Sequence, residues 1–499
     1  MKILLINPPI TLYAGGTNPR VYMPLGLLSI AAQLEKDGHD VKINDALLEA
    51  RIDDTESLGE KQFGQSWETI SKNIADYHPD IVGITSMFAS QSQNAKKIAK
   101  IAKNISSDIT TIIGGTHASA DPDTAFDDTN VDLIIIGEGE LTMSKIIKCL
   151  NTKDDFKSIN GIYSRYNNIL IKNPTPERIN NLDNLPLPAY HLYDIEKYFI
   201  LQNSGYCARP IGYGTREISI TTSRGCPYDC VFCSIHPTMG KKWRAYSAEY
   251  VINHIRHVVD KYKVDLIHFE DDNFSLDRKR FMEILDALID LKLKVKWDPP
   301  NGLRADSLDE EMIKKAIKSG CQYVVIAIES GVQRVLEEVI NKRLDLKQVA
   351  SIAQICKKLN IELYAYYVVG LPGETIDEIR QTLAYAAKML LRYFIYPQIA
   401  TASPVFGSRL YDICKENSYC TKDITPRSLA IAYDSTGLGL IETREFSPVS
   451  IKRLIAKYNK YFAIIMLINI FRRPQRLLRY YRILKRNPYL FKKLLLNKS

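Results

Sequence analysis

Strand-like and helical runs alternate along this chain twice over, and that alternation restricts the fold more than any other feature of the sequence. Short apolar runs at 2–7, 40–44, 80–85, 110–113 and 132–136 are separated by segments 25–37, 67–77 and 93–102, whose apolar residues recur at helical spacing. Strands that are apolar throughout need cover on both faces, so this pattern predicts a flavodoxin-like, doubly wound parallel sheet over residues 1–145. Ligands of such sheets sit at the carboxyl ends of the strands. Those ends carry Pro8-Pro9, Asp45, Ser86-Met87-Phe88, Gly114-Gly115-Thr116-His117 and Gly137-Glu138-Gly139-Glu140.

Residues 146–212 lose the alternation and become rich in Asn, Pro and Tyr, with Pro174, Pro176, Pro186 and Pro188, which reads as a linker or small connecting layer. A second series follows over 213–415, with strands near 217–222, 264–270, 294–298, 322–328, 361–369 and 394–400 and a helical segment between each pair. Six βα units predict a partial (βα)6 TIM-like barrel whose site lies at the strand carboxyl ends. Beyond about 416 the strands stop, leaving a basic helical C-terminal region, 416–499.

A chain of 499 residues, 45% hydrophobic and 25% charged, is long enough for about three domains with their own cores, and disorder is excluded. The net charge of +9 reports one segment: residues 451–499 hold 14 Lys plus Arg and no acid, leaving 52 against 57 acids in the rest. Nucleic-acid binding by the main body therefore has no compositional support. The apolar run after Lys2 ends at Pro8-Pro9, too short for a secretory signal, so a cytoplasmic protein is expected. The longest apolar stretch, 463–471 with Asn469 inside it, falls short of the roughly 20 residues of a spanning helix, so none is expected. In the tail, Arg472, Arg473, Arg476, Arg479, Arg482, Lys485 and Arg486 are interleaved with Leu477, Leu478, Tyr480, Tyr481, Ile483 and Leu484. Such a segment either docks its apolar face on the barrel or lies on an anionic bilayer, giving peripheral contact at the inner face of the membrane.

Nine cysteines in a chain expected in the cytoplasm point to reduced thiols, and three cluster in Cys226-Pro-Tyr-Asp-Cys230-Val-Phe-Cys233, just after the first strand of the second series. Zinc normally takes four ligands from two separated pairs; only His236 is near enough in sequence to be a fourth, and its spacing is not that of a zinc finger. Buried structural thiols are the plainer alternative. Three thiolates suit a 4Fe-4S cluster whose fourth iron is left open. With Phe232 before the last cysteine, the motif resembles that of the radical S-adenosylmethionine (SAM) superfamily, and the resemblance covers about 213–415. It implies that SAM chelates the open iron and that one electron cleaves it to methionine and a 5′-deoxyadenosyl radical, with an electron donor such as flavodoxin or ferredoxin as partner.

The later strand ends extend the resemblance. Asp271 or Asp272, in Phe269-Glu-Asp-Asp-Asn-Phe274, would accept from the SAM amino group, or else are solvated acids at a helix cap. Arg304 would pair with a carboxylate of SAM or substrate, or form a structural salt bridge. Glu329, Ser330 and Gln333 match the family's ribose and carboxylate contacts, and Gly370 and Gly373 its glycine-proline turn against the adenosyl part, although a plain tight turn has the same letters.

Pro24-Leu-Gly26, Gly38-His39, Ser86, Gly114-Gly115 and Gly137-Glu-Gly139 resemble the cobalamin-binding domain found ahead of many radical SAM modules. The small residues Ser86, Gly114 and Gly115 would leave a channel for the nucleotide tail of the corrinoid, and His117 is either a contact to it or a surface or capping histidine. One departure stands out: where relatives that ligate cobalt from below carry Asp-x-His-x-x-Gly, this chain reads Asp45-Ala-Leu47-Leu-Glu-Ala50. Bound cobalamin is expected to lack a histidine ligand from this motif.

The resemblance implies a cobalamin-dependent radical SAM enzyme that moves a methyl group from methylcobalamin to an unactivated carbon of a small-molecule or lipid-like substrate, using two SAM molecules. Oxidative cyclisation of the magnesium-protoporphyrin monomethyl ester cyclase kind is a second outcome. A non-catalytic cobalamin sensor is a third, disfavoured because a sensor needs no reducible cluster.

Overall fold

Strands β1 (Lys2–Asn7), β2 (Asp40–Asp45), β3 (Ile81–Thr85), β4 (Thr110–Gly114) and β5 (Leu133–Ile135) pair in parallel in the order 2-1-3-4-5, the flavodoxin order. In this computed structural model, which describes residues 1–13, 19–55, 57, 59–166, 169–173, 176–206, 214–432, 438–474, 477 and 481, the chain divides into two units. The sheet belongs to the first: Met1–Leu201, Ser234–Arg244 and Thr425–Ser435.

Residue alternation on each strand feeds two separate cores. Leu4, Ile6, Val82, Ile84 and Ile113 pack with Ile70 and Ile74 of helix Trp67–Tyr77 and with Ala95, Ile98 and Ala102 of helix Ser92–Ile105. Ile3, Leu5, Ile81 and Ile112 face the other way, onto Leu27, Ala31 and Leu34 of helix Leu25–Lys36 and Met143, Ile146 and Ile147 of helix Glu140–Thr152. The strand order reverses between β1 and β3, which makes their carboxyl ends, Asn7-Pro8 and Thr85-Ser86, the switch point where such sheets bind ligands.

The stretch read as a linker is partly sheet. Strands β6 (Ile162–Tyr166) and β7 (Ile169–Lys172) form a hairpin that extends the sheet antiparallel from β5, with Ile162 fully buried beside Ile135. Strands of four or five residues beside Asn and Pro give too short an alternation to stand out in sequence. Pro174, in the same stretch, lies outside the described residues.

The second unit comprises Gln202–Cys233, Ala245–Ile424 and Thr436–Ser499. Its strands β8 (Glu217–Ile220), β9 (Leu266–Phe269) and β10 (Lys296–Asp298) form one parallel sheet, and β11 (Val324–Glu329), β12 (Leu363–Val369) and β13 (Ile395–Thr401) another. Leu303 bridges toward the second sheet, donating its backbone N–H to Val325 O at 2.8 Å. Helices Ala248–Tyr262, Arg278–Asp290, Glu310–Lys318, Leu346–Lys358 and Ile376–Tyr393 connect successive strands. Phe269, Phe274, Phe281 and Trp297 form a ring cluster on one face of the first sheet, Phe269 and Phe274 stacking with centroids 4.4 Å apart.

Helix Pro448–Arg472 is longer than its longest uninterrupted apolar run suggests. At 25 residues it is long and apolar enough to cross a membrane by length and composition, although no uninterrupted apolar run in it approaches that length. It lies along helix Ile376–Tyr393, where the buried Asn469 side chain donates to Leu390 O at 2.9 Å. Arg476, Arg479, Arg482, Lys485 and Arg486 of the tail lie outside the described residues.

Candidate functional site

In the first unit, the ends of β1, β2 and β3 are tied by a buried polar network. Asn7 Nδ2 donates to Asp45 Oδ1 at 2.8 Å, Gln91 Nε2 donates to Asn7 Oδ1 at 3.0 Å, and Tyr193 OH and the Leu47 N–H donate to Asp45, each at 3.0 Å. Burial pushes the Asp45 carboxyl up to about 6 even with these donors around it. Leu47 is itself buried in the turn that follows, so the position of the missing histidine holds an apolar side chain.

Ser86 sits at the switch point. Its N–H donates to Gly114 O at 2.7 Å, its carbonyl accepts from His117 N at 3.0 Å, and its buried Oγ has no partner among the described residues. Gly115, at φ +106°, lets the turn after β4 close on it: a Cβ there would stand 2.8 Å from Ser86 O. Gly114 has ordinary contact distances around it. His117 is buried, and burial lowers its pKa, which favours the neutral imidazole. An unsatisfied hydroxyl at a switch point fits a polar ligand tail that would complete its hydrogen bonds.

In the second unit, the cysteine loop leaves β8 and is held at both ends. At its start the Asp271 carboxylate accepts from Thr222 N, Thr222 Oγ1 and Ser223 Oγ, each at 2.6 Å, and Asp272 Oδ2 accepts from Gly225 N at 3.0 Å. At its far end Val231 N donates to Ile340 O at 2.9 Å, and Val231 O accepts from Leu410 N at 2.8 Å. Val231 is buried in the core around Val335, Leu371 and Leu410, with Phe232 packed against it. The thiols of Cys226, Cys230 and Cys233 stay partly exposed, and burial pushes those of Cys226 and Cys230 up. Among the described residues no three His, Cys, Asp or Glu side chains gather as a single ion such as zinc would require. A 4Fe-4S cluster takes one thiolate per iron, so three thiols spread along one loop fit it.

The other sequence candidates are mostly engaged within the protein. Both acid readings of Asp271 give way to a third: it is neither solvated nor open to a ligand, because its oxygens are spent on the loop. Arg304 makes the salt bridge, with Nε and Nη2 at 3.0 and 2.7 Å from the Asp306 oxygens, and its guanidinium covers the Tyr228 ring at 3.6 Å. Glu329 pairs with Lys342, Ser330 Oγ meets Thr382 Oγ1 at 3.0 Å, and Gln333 bonds Glu337, Leu344 and Leu346. Gly370 and Gly373 have φ of +87° and +97°, as a tight turn needs. Glu374 fastens that turn, its Oε2 accepting from Gly370 N and Leu371 N at 2.7 Å, and burial pushes its carboxyl up to about 7.

Sequence reading missed the polar face of β8–β10. Ser219 Oγ donates to Glu270 Oε1 at 3.1 Å, and His268 lies buried between Asp298 Oδ1 at 2.8 Å and Glu217 Oε2 at 3.4 Å. The signal was present in the period-2 spacing of Glu217 with Ser219 and of His268 with Glu270, which puts polar groups on one face.

Comparison with known proteins finds relatives for both parts of the chain. Residues 14–147 match the B12 binding domain and residues 220–386 the radical SAM superfamily. The chain is 33% identical over 443 residues to cytidylyl-2-hydroxyethylphosphonate methyltransferase of Streptomyces wedmorensis, covering 83% of this chain and 81% of that protein. It is 27% identical over 396 residues to the anaerobic magnesium-protoporphyrin IX monomethyl ester cyclase of Rubrivivax gelatinosus, covering 77% of this chain and 65% of that one. The structure of the radical SAM methyltransferase TsrM from Kitasatospora setae, with cobalamin and a 4Fe-4S cluster bound, superimposes with a TM-score of 0.67 over 93% of this chain and 88% of that one, at 15% identity, and so shares its fold. A parallel sheet with a buried, unpartnered hydroxyl at its switch point, a three-cysteine loop anchored at both ends, and these matches place the chain in the family of cobalamin-dependent radical SAM enzymes.

Proposed function

We propose that this enzyme transfers a methyl group to an unactivated carbon of a small-molecule or lipid-like substrate, and the observation that carries the reading is the pairing, in one chain, of the anchored Cys226–Cys230–Cys233 loop with the Ser86 switch-point site. The identity to a methyltransferase over most of both chains favours methyl transfer over cyclisation. The six parallel strands of the second unit are read as one partial (βα)6 barrel, with residues 213–415 as its working segment, 1–145 as the corrinoid domain, 146–212 as the connection and 416–499 as the C-terminal region.

When bound, SAM at the cluster supplies a carbon-centred radical, and the corrinoid supplies a methyl group carried on cobalt. The protein's part is holding and shielding. Cys226, Cys230 and Cys233 would each hold one iron. Asp271 and Asp272 fix the start of their loop, and Val231 fixes its end. Glu270, half-buried and bonded to Ser219, would offer a carboxylate for an ammonium group, and the turn Gly370–Gly373, braced by Glu374, would contribute backbone toward an adenosyl group. Ser86 Oγ, with Gly114, Gly115 and His117 around it, would hold the corrinoid tail. An electron donor of the flavodoxin or ferredoxin class would reduce the cluster, and the setting that this reading implies is the cytoplasm, with peripheral contact at the inner face of the membrane.

The test is anaerobic reconstitution with iron, sulfide and cobalamin, followed by reduction in the presence of methyl-labelled SAM and a metabolite extract. Expected are 5′-deoxyadenosine, S-adenosylhomocysteine and label in an extract component, all lost in the Cys226→Ala/Cys230→Ala/Cys233→Ala variant. 5′-Deoxyadenosine without S-adenosylhomocysteine or label transfer would turn the reading to cyclisation, and turnover by the triple variant would end it.

A further inference from the structure

Helix Pro448–Arg472 has two unlike faces. Ile451, Phe462 and Asn469 are buried on one side, while Tyr461, Ile464, Leu467, Ile468 and Phe471 point outward on the other, Leu467 59% and Phe471 85% exposed. Only 11% of its most apolar 18-residue window is buried within the protein. Arg453, Lys457 and Lys460 continue the same outward stripe, because 453, 457, 460, 464, 467 and 471 follow helical spacing. Leu391, 43% exposed, adjoins the apolar end, where Arg472 Nη1 donates to its carbonyl at 2.6 Å. A stripe of this length is unusual on a surface that only meets water.

A second feature lies at the same end. Gln354, Lys357, Lys358, Arg392, Tyr393 and Arg473 line a surface hollow, with four cations and no acid among these lining residues. Lys357 Nζ donates to Arg392 O at 3.0 Å and lies 5.7 Å from the centre of the Phe394 ring, and Arg473 lies over the same ring at 3.9 Å with its Nη1 donating to Asn360 Oδ1. Lys358 pairs with the Glu310 carboxylate at 3.2 Å. Cations gathered around an open hollow attract a phosphate group.

Three observations decide how a membrane would meet this helix. Its inward face is held by the Asn469 and Arg472 contacts to helix Ile376–Tyr393, its exposed stripe carries three cations, and a spanning helix would need to be apolar all round. A cationic and apolar stripe matches an interfacial helix, which sinks about 5–10 Å into the boundary between headgroups and acyl chains. The sequence beyond it adds further Lys and Arg and no acid.

We propose that the outward stripe and the basic hollow together form a monotopic seat on an anionic phospholipid bilayer: Leu391, Leu467, Ile468 and Phe471 enter the acyl region, and Lys357, Arg392 and Arg473 hold the phosphate of one headgroup. This seat rests on charge complementarity and exposed apolar area, not on the methyl-transfer reading, and it brings a lipid-like substrate and the enzyme to one surface.

The test uses the full-length chain and flotation with vesicles of phosphatidylcholine alone or mixed with phosphatidylglycerol. Expected is binding to the mixed vesicles, weakened at least about tenfold by Leu467→Ser/Phe471→Ser, since both side chains then no longer bury apolar surface in the acyl region. Lys357→Gln/Arg392→Gln should lower the preference for phosphatidylglycerol while leaving the apolar part of the binding. Phe471→Trp keeps the stripe intact, and its emission should shift blue on the mixed vesicles and be quenched by brominated acyl chains. Unshifted Trp emission, or serine variants that float like the parent, would leave binding to the basic tail and overturn the seat. A dimer abolished by the serine variants, with no vesicle binding, would assign the stripe to a second copy of the chain and also overturn it. Iron and corrinoid content should be unchanged in every variant, which separates this outcome from failure of the enzymatic reading.

Discussion

Glu329 and Lys342 form a buried ion pair at the carboxyl end of β11, Nζ to Oε1 at 3.0 Å, with side chains only 8% and 4% exposed. Glu329 holds a left-handed φ of +74°, and the register of β11 on β12 slips between Ala327 and Glu329. A residue with a side chain keeps such a conformation only when its surroundings over-determine it, and Lys342 does this by also donating to Ala327 O at 2.6 Å. Lys342→Met leaves the carboxylate buried without a partner and should cost about 3–5 kcal/mol in urea unfolding. Glu329→Gln/Lys342→Met should recover a large part of that loss. Equal stability of the single variant and the parent would show that the pair does not hold the strand end.

Asp271 yields a prediction of a different kind, because three donors converge on it from the first residues of the cysteine loop. Asp271→Ala strands buried donors at about 1–3 kcal/mol each and frees the loop start. Reconstituted protein should then hold less iron and sulfide per chain while retaining cobalamin as the parent does. Asp271→Asn keeps one acceptor oxygen and should fall between the two. A ligand role without an anchoring role would instead leave the iron content intact and weaken SAM binding alone.

Glu329, Lys342 and Asp271 mark the limit of what the sequence discloses. The strand order of the first sheet follows from where apolar runs and helical periods fall, and the cysteine loop from three letters at fixed spacing. Whether an acid such as Asp271 faces a ligand, solvent or its own backbone depends on which neighbouring N–H groups lack partners, and spacing carries no record of that. The apolar length of helix Pro448–Arg472, within a region the sequence marks as helical, is hidden for a related reason. Run length counts apolar residues in line, whereas a helix collects them every three or four residues and passes over Lys457, Lys460 and Asn469. The His268 cluster is legible in principle, since polar residues alternate on β8 and β9, but the apolar residues between them dominate the strand signal.

At the switch point, Gly115→Ala places a methyl group 2.8 Å from Ser86 O and 2.9 Å from Thr85 Oγ1, at a φ that disfavours any side chain. The turn must shift, and cobalamin retained per chain after anaerobic reconstitution should drop severalfold with iron unchanged. In the parent, bound cobalamin reduced to cob(II)alamin should show no hyperfine splitting from a protein imidazole in its electron paramagnetic resonance spectrum, because Leu47 is buried where the ligating histidine would stand. Resolved nitrogen splitting that disappears in His117→Ala would make His117 the ligand and refute this.

His268 gives the fold a pH dependence whose sign is fixed by its partners. Burial alone would lower its pKa, but Asp298 and Glu217 outweigh that and raise it from the ordinary 6.5 to about 10, so the imidazolium is the folded form at neutral pH. A group whose folded pKa lies above its unfolded one stabilises fully below the unfolded value and loses that contribution as pH rises through the folded value. Resistance to urea should therefore decline between about pH 6.5 and 10 in the parent through this group. His268→Gln leaves Glu217 and Asp298 without their buried cation, so it should be several kcal/mol less stable at pH 7, about 3–5 by the usual cost of breaking a buried pair. The gap between parent and variant should narrow as pH approaches 10, where the parent histidine also becomes neutral. A gap that stays constant from pH 6 to 10 would mean that His268 is neutral throughout and that the two carboxylates hold a proton of their own.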